Sequence, residues 1–213
     1  MFPNARKGIK KLFLAEILTI VAAVIGFVAT IVTAIPPVRD SLPGAIVLAS
    51  FAIVALLLLV LAFLLHMFGL GQGGRDSGHF RVAFWAVIFA IVFSIGAELC
   101  KAIPGVRDFA WISGALETLS KVINAFVIIY VISGISSLAV AIGRDDVAAK
   151  GTIMIWIILG LYLLTAILGL VSSFFTAEAF VILFGILSIG AAVVEIVIYV
   201  TYLLFLRKAT KIF

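Results

Sequence analysis

The sequence predicts an all-α integral membrane protein: six transmembrane helices arranged as three parallel helix-hairpin repeats, with both termini in the cytoplasm. Three observations carry that prediction. The chain is 65% hydrophobic and 12% charged, with a mean hydropathy of +1.39, whereas a soluble domain has roughly 45–50% apolar and about 25% charged residues. Its apolar residues fall into six runs, at about 12–35, 44–71, 80–102, 114–142, 152–175 and 178–206. Each reaches the roughly 20 residues that span about 30 Å of hydrocarbon as a helix, and each is too long for a barrel strand. Finally, Ala34-Ile-Pro-Pro-Val-Arg-Asp40 returns as Ala102-Ile-Pro-Gly-Val-Arg-Asp108, with six of seven positions matching at a shift of 68 residues.

The first helix follows Arg6, Lys7, Lys10 and Lys11. Its run of about 24 apolar residues exceeds the 7–15 of a signal-peptide core, so it is expected to stay as a span. Pro36 and Pro37 end it. Asp40 or Ser41, with Pro43 in the first turn, caps the second helix. Gly74 closes that helix in the left-handed conformation and Asp76 caps the third. In the third helix Cys100, the single cysteine, is a small packed residue that forms no internal disulfide. The amphipathic stretch 108–114 then carries Trp111 as an interface anchor. Gly143 closes the fourth helix, and Asp145 and Asp146 cap the fifth. Ser172-Ser-Phe-Phe-Thr-Ala-Glu178 leads into the sixth, which ends at Arg207 and Lys208.

A second connector, Gly74-Arg-Asp76, recurs as Gly143-Arg-Asp145 at a shift of 69. The unit is therefore two helices and two connections, and it fits about 8–76, 77–145 and 146–213 within a single transmembrane domain, 1–213. An even number of helices per unit makes the repeats parallel, unlike the inverted repeats of many transporters. The third copy has lost both connector motifs. Small residues recur every four positions on helix 1 (Ala22, Gly26, Thr30), helix 3 (Ala90, Ser94, then Glu98), helix 4 (Ser133, Ser137, Ala141) and helix 5 (Thr165, Gly169, Ser173). Such stripes permit close helix contact in lipid, and they predict an inner seam made by the odd-numbered helices.

Threading follows from the cations. Eleven of the fifteen Lys and Arg residues lie on one side: Arg6, Lys7, Lys10, Lys11, Arg75, Arg81, Arg144, Lys150, Arg207, Lys208 and Lys211. Only Arg39, Lys101, Arg107 and Lys121 lie on the other. The positive-inside rule makes the first side cytoplasmic and the expected location the cell membrane. This asymmetry also accounts for the net charge of +5 without a nucleic-acid partner, since no soluble basic face is available.

Polar residues inside the spans are the candidates for function. Glu195 lies 12 residues before Arg207, roughly 18 Å deep and near the bilayer midplane. A carboxyl there must be protonated, paired or in contact with water. Ser188, Tyr199 and Tyr202 share its helical face and complete a candidate substrate- or ion-binding group. Toward the outer face, Glu98 can pair with Lys101 and Glu117 with Lys121, with Asn124 one turn deeper; Glu98 and Asn124 are candidates for a polar mouth. Glu16 and His66 lie at similar shallow depths on the first hairpin and form a candidate pH-sensitive pair.

No metal-ligand spacing, phosphate loop or hydrolytic constellation occurs, so neither a cofactor nor an enzymatic activity is expected. Proline stays outside the spans, so broken helices are not signalled. The leading expectation is a small-solute or ion transporter, or a membrane-embedded transport subunit, with Glu195 as its buried polar group. The alternative is a non-catalytic scaffold or regulatory protein. Its expected partners are the bilayer and, through helix faces, another protein or a second copy of the chain.

Overall fold

The computed structural model describes residues 2–34, 41–102, 110–174 and 178–213. They form six helices and, among the described residues, no strand: α1 (Pro3–Thr33), α2 (Leu42–Gly73), α3 (Gly78–Ala102), α4 (Ala110–Ala141), α5 (Asp145–Phe174) and α6 (Glu178–Ile212). Several outrun their apolar stretches, by nine residues at the start of α1, seven at the start of α5 and six at the end of α6. The apolar run marks only the hydrocarbon crossing. The helix continues into the headgroup region because its backbone groups are already paired. Among the described residues α1 to α5 are each long and apolar enough to cross a membrane, and the sixth apolar run lies on the 35-residue α6. This is the architecture of a helical membrane protein.

Each helix packs against its neighbours in the chain, and α6 closes back on α1. The result is a ring of six, tightest within the pairs α1–α2 and α3–α4. The small-residue stripes therefore work differently from the expected odd-helix seam. On α3 they face α4: Ser120 donates to the Ala90 carbonyl at 3.0 Å and sits 2.7 Å from the Ser94 hydroxyl. On α1 only Ala22 is buried, while Gly26 has open space beside it and Thr30 bonds back to the Gly26 carbonyl. A stripe of small residues permits close contact but does not say which helix fills it. The side chains of Thr165 and Ser173 on α5, and of Trp111, Glu117 and Lys121 on α4, lie outside the described residues, as do the surroundings of Gly169.

The deepest packing gathers at the end of the bundle that carries both termini. There Ile9 and Leu12 of α1, Leu70 of α2, Phe80 of α3, Ile132 and Ile135 of α4, and Tyr202 and Leu206 of α6 form one fully buried cluster. Glycine makes it dense. A β-carbon on Gly8 would lie 2.5 Å from the Gly69 carbonyl oxygen, and the Phe80 ring fills a cradle left by Gly73 and Gly134.

The connections at this end tie the termini down. Asp76 does not cap α3. Its carboxylate instead accepts from the Ala5 N–H at 2.7 Å and the Asn4 side-chain amide at 3.0 Å. It thus caps α1, whose own N-cap, Phe2, has no side-chain oxygen to offer. At the other connection Asp146 accepts from Arg144 at 3.1 Å and from Lys208 of α6 at 2.9 Å. Gly143 closes α4 at φ +71, with the Arg144 N–H reaching the Ala139 carbonyl. Gly74, by contrast, stays right-handed at φ −62. A β-carbon there would lie 3.4 Å from the Arg81 Cα, in contact with α3. Ser41 caps α2 as the sequence suggests, accepting from the Gly44 N–H at 3.1 Å.

The α1–α2 crossing gives a direct test. Gly8→Ala is expected to lower stability by about 1–3 kcal/mol through overpacking, measured by thermal or denaturant unfolding in detergent. Gly26→Ala, with open space beside it, should be neutral or stabilising by up to about 1 kcal/mol.

Candidate functional site

Above the packed end α1, α2, α3, α4 and α6 border an open cavity of about 890 Å³. One face of α1 forms its longest wall, with Glu16, Thr19, Ile20, Ala23, Val24 and Phe27 recurring at helical spacing. Leu59, Phe63 and His66 of α2, Val87 of α3, Asn124 of α4, and Ile196 and Tyr199 of α6 complete it. Among the described residues, the polar side chains in the lining are Glu16, Thr19, His66, Asn124 and Tyr199.

Three of these meet at the floor, one from each of three helices. The Tyr199 hydroxyl donates to Glu16 Oε2, and His66 Nδ1 stands 3.8 Å from Glu16 Oε1. One carboxyl oxygen is thereby hydrogen-bonded and the other faces the imidazole beyond hydrogen-bond distance, and the side chains of Glu16 and His66 are only 12% and 21% exposed. Thr19 satisfies its own hydroxyl on the Ala15 carbonyl at 3.0 Å, so it adds no further partner. Leu12, Leu70 and Tyr202 close the bundle beneath this group. In the other direction the walls open, and Phe27 is 67% exposed although it lines the cavity. The cavity is closed on the side of the termini and open elsewhere, with Val24 and Ile196 of its lining exposed as well as Phe27.

The candidates read from sequence divide accordingly. Glu16 and His66 do meet as a pair. Tyr199 belongs to the floor and Asn124 to the wall, so residues assigned to three separate groups share one cavity. Tyr202 lies one turn below Tyr199, 1% exposed, with both bordering a smaller void of about 60 Å³. Glu98 does not line the cavity; it is 72% exposed and bonded to Lys101 at 2.9 Å. Glu195 and Ser188 stand on α6, but their side chains lie outside the described residues.

Sequence reasoning missed the bond between Glu16 and Tyr199, which are 183 residues apart. The available signal was the shared face of Glu16, Thr19, Ala23 and Phe27, and the requirement that a closed ring bring α6 against α1. Chemically, the arrangement offers a carboxyl group, a phenol and an imidazole at the bottom of a mainly apolar and aromatic chamber, with the Asn124 amide on its wall. That suits binding of a ligand with an apolar body and a single polar or cationic group.

The chain matches no protein-family model, no curated protein and no solved structure.

A double-mutant cycle on Glu16→Gln and Tyr199→Phe, read by thermal unfolding, should give a coupling of about 1 kcal/mol. The same cycle on the exposed Glu98–Lys101 pair should stay below about 0.5 kcal/mol.

Proposed function

We propose that the protein is a membrane transporter, or the substrate-binding subunit of one, for small monovalent organic cations. Glu16 is its recognition group. The observation that carries this reading is the cavity itself: about 890 Å³, with the Glu16 carboxyl on its floor and Phe27, Phe63 and Tyr199 among its walls. Volumes of roughly 300–1,000 Å³ are typical of small-molecule sites. A cation there gains both the carboxylate and the aromatic faces, and an intramembrane acid with named partners is by default a functional group. Glu195, which the sequence favoured, becomes a secondary candidate on the same helix as Tyr199.

The finer architecture belongs to this proposal. Both termini are cytoplasmic, supported by the eleven cations that fall at the packed end. The cavity then opens away from the cytoplasm. Three parallel hairpins, supported by the duplicated connectors and the tight α1–α2 and α3–α4 pairs, build the ring, and a rearrangement of the packed end would admit the ligand inward. The chain acts by binding rather than by catalysis.

Uptake of tetraethylammonium into proteoliposomes tests the reading. Wild-type protein should give saturable uptake, and Glu16→Gln and Ala23→Phe should each reduce it at least tenfold, about the effect of losing one buried charge contact or the cavity volume. Leu99→Phe, on an exposed face, should leave it unchanged. Equal uptake by wild type, Glu16→Gln and protein-free vesicles would reject the proposal.

A further inference from the structure

A second concave site lies outside the ring, between the end of α2 and the start of α3. It has a volume of about 560 Å³ and is lined by Leu70, Gly71, Gly74, Arg75, Arg81, Phe84 and Trp85. These two helices are in the loosest contact of any adjacent pair, so a groove remains between them. Arg75 and Arg81 are both exposed, and neither guanidinium has a hydrogen bond or ion pair among the described residues. The acid beside them, Asp76, is committed elsewhere, with one oxygen on Asn4 and the other on Ala5. Three other cations at this end do have partners: Arg144 and Lys208 share Asp146, and Lys11 lies over the Phe68 ring at 5.4 Å. Two glycines keep the site hollow. A β-carbon on Gly71 would only just reach Phe84, at 4.0 Å.

The occupant follows from what borders the arginines. Trp85, 55% exposed, stands one turn above Arg81, and Phe89, also exposed, one turn above that. The site is therefore charged at its base and continues upward into an apolar, lipid-facing surface. A free anion would use only the base, whereas an amphiphile uses both parts. We infer that the α2–α3 groove binds an anionic phospholipid, its phosphodiester between Arg75 and Arg81, its glycerol beside Trp85 and an acyl chain along Phe89. Two guanidinium groups suit a phosphate in geometry as well as charge, and basic pockets between helices are an established way of holding anionic headgroups. This inference is independent of the cation cavity.

Trp85 supplies the reporter. In a Trp111→Phe/Trp156→Phe background it is the only remaining tryptophan of three. Brominated phosphatidylglycerol, titrated into phosphatidylcholine vesicles containing the protein, should quench it saturably at low mole fraction. Arg75→Gln/Arg81→Gln should move the midpoint about thirtyfold higher. Gly71→Leu keeps both charges, improves helix propensity and fills the hollow, and it should shift the midpoint in the same direction. Arg207→Gln/Lys211→Gln, which removes equal charge from the same end, should leave the midpoint unchanged. The inference is overturned if brominated phosphatidylcholine quenches equally well, or if the control shifts the midpoint as much as the arginine pair does. It also fails if inorganic phosphate displaces the brominated lipid as effectively as unbrominated phosphatidylglycerol, since the site would then recognise a free anion.

Discussion

Where α1 crosses α2, the backbones come so close that a single β-carbon on Gly8 would strike the Gly69 carbonyl. Much of the molecule depends on that approach. In a bilayer, lipid tails are as apolar as leucine, so helices associate through close contact and polar pairing rather than by hiding surface from water. Glycine at residues 8, 69, 73 and 134 permits that contact only near the termini, where Phe80 fills the remaining space. Farther along α1, Gly26 meets nothing. The ring is consequently dense at one end and hollow beyond it, and the hollow is the cavity.

The floor of the cavity answers a second requirement. A carboxyl group among apolar helices is unfavourable unless its oxygens find partners. Glu16 finds one on α6 and lies close to His66 of α2, and so links the first and last helices of the ring beside its second. One acid thus both closes the ring and presents a polar group to the cavity. The termini are secured by the same kind of pairing outside the membrane, Asp76 holding the start of α1 and Asp146 the end of α6. Asp76 is the acid of the first Gly-Arg-Asp connection, whereas Asp146 follows the second by one residue, so both connections fasten chain ends but not through the same motif position.

The spans were legible because hydropathy follows from the solvent they occupy, and hydrogen bonding in lipid leaves little choice but helix. Local capping was partly legible: Ser41 and Gly143 behave as their neighbours in sequence suggest, whereas Asp76 and Gly74 answer to α1 and α3 through contacts no local pattern records. The candidate site was legible in its parts but not in its grouping. Glu16, His66, Tyr199 and Asn124 were each visible as polar residues within spans. Their meeting depends on α6 returning to α1, a contact between opposite ends of the chain. Depth counted from Arg207 drew attention to Glu195, while Glu16 looked shallow because Lys11 precedes it so closely. The helix continues straight through that basic stretch, so nearness in sequence to a charge did not place Glu16 in water.

The central claim is a chamber closed toward the termini that the proposed function opens to water on the opposite side, and thiol accessibility along α1 tests it most directly. In a Cys100→Ser background, single cysteines at Thr19, Ala23 and Phe27 should react with a membrane-impermeant thiol reagent applied from the side away from the termini. Cysteines at Ile9 and Leu12 in the packed core, and at Leu14 and Val21 on the lipid-facing surface, should not. Protection of all three cavity positions, or reaction at Ile9 and Leu12 from that side, would contradict the account.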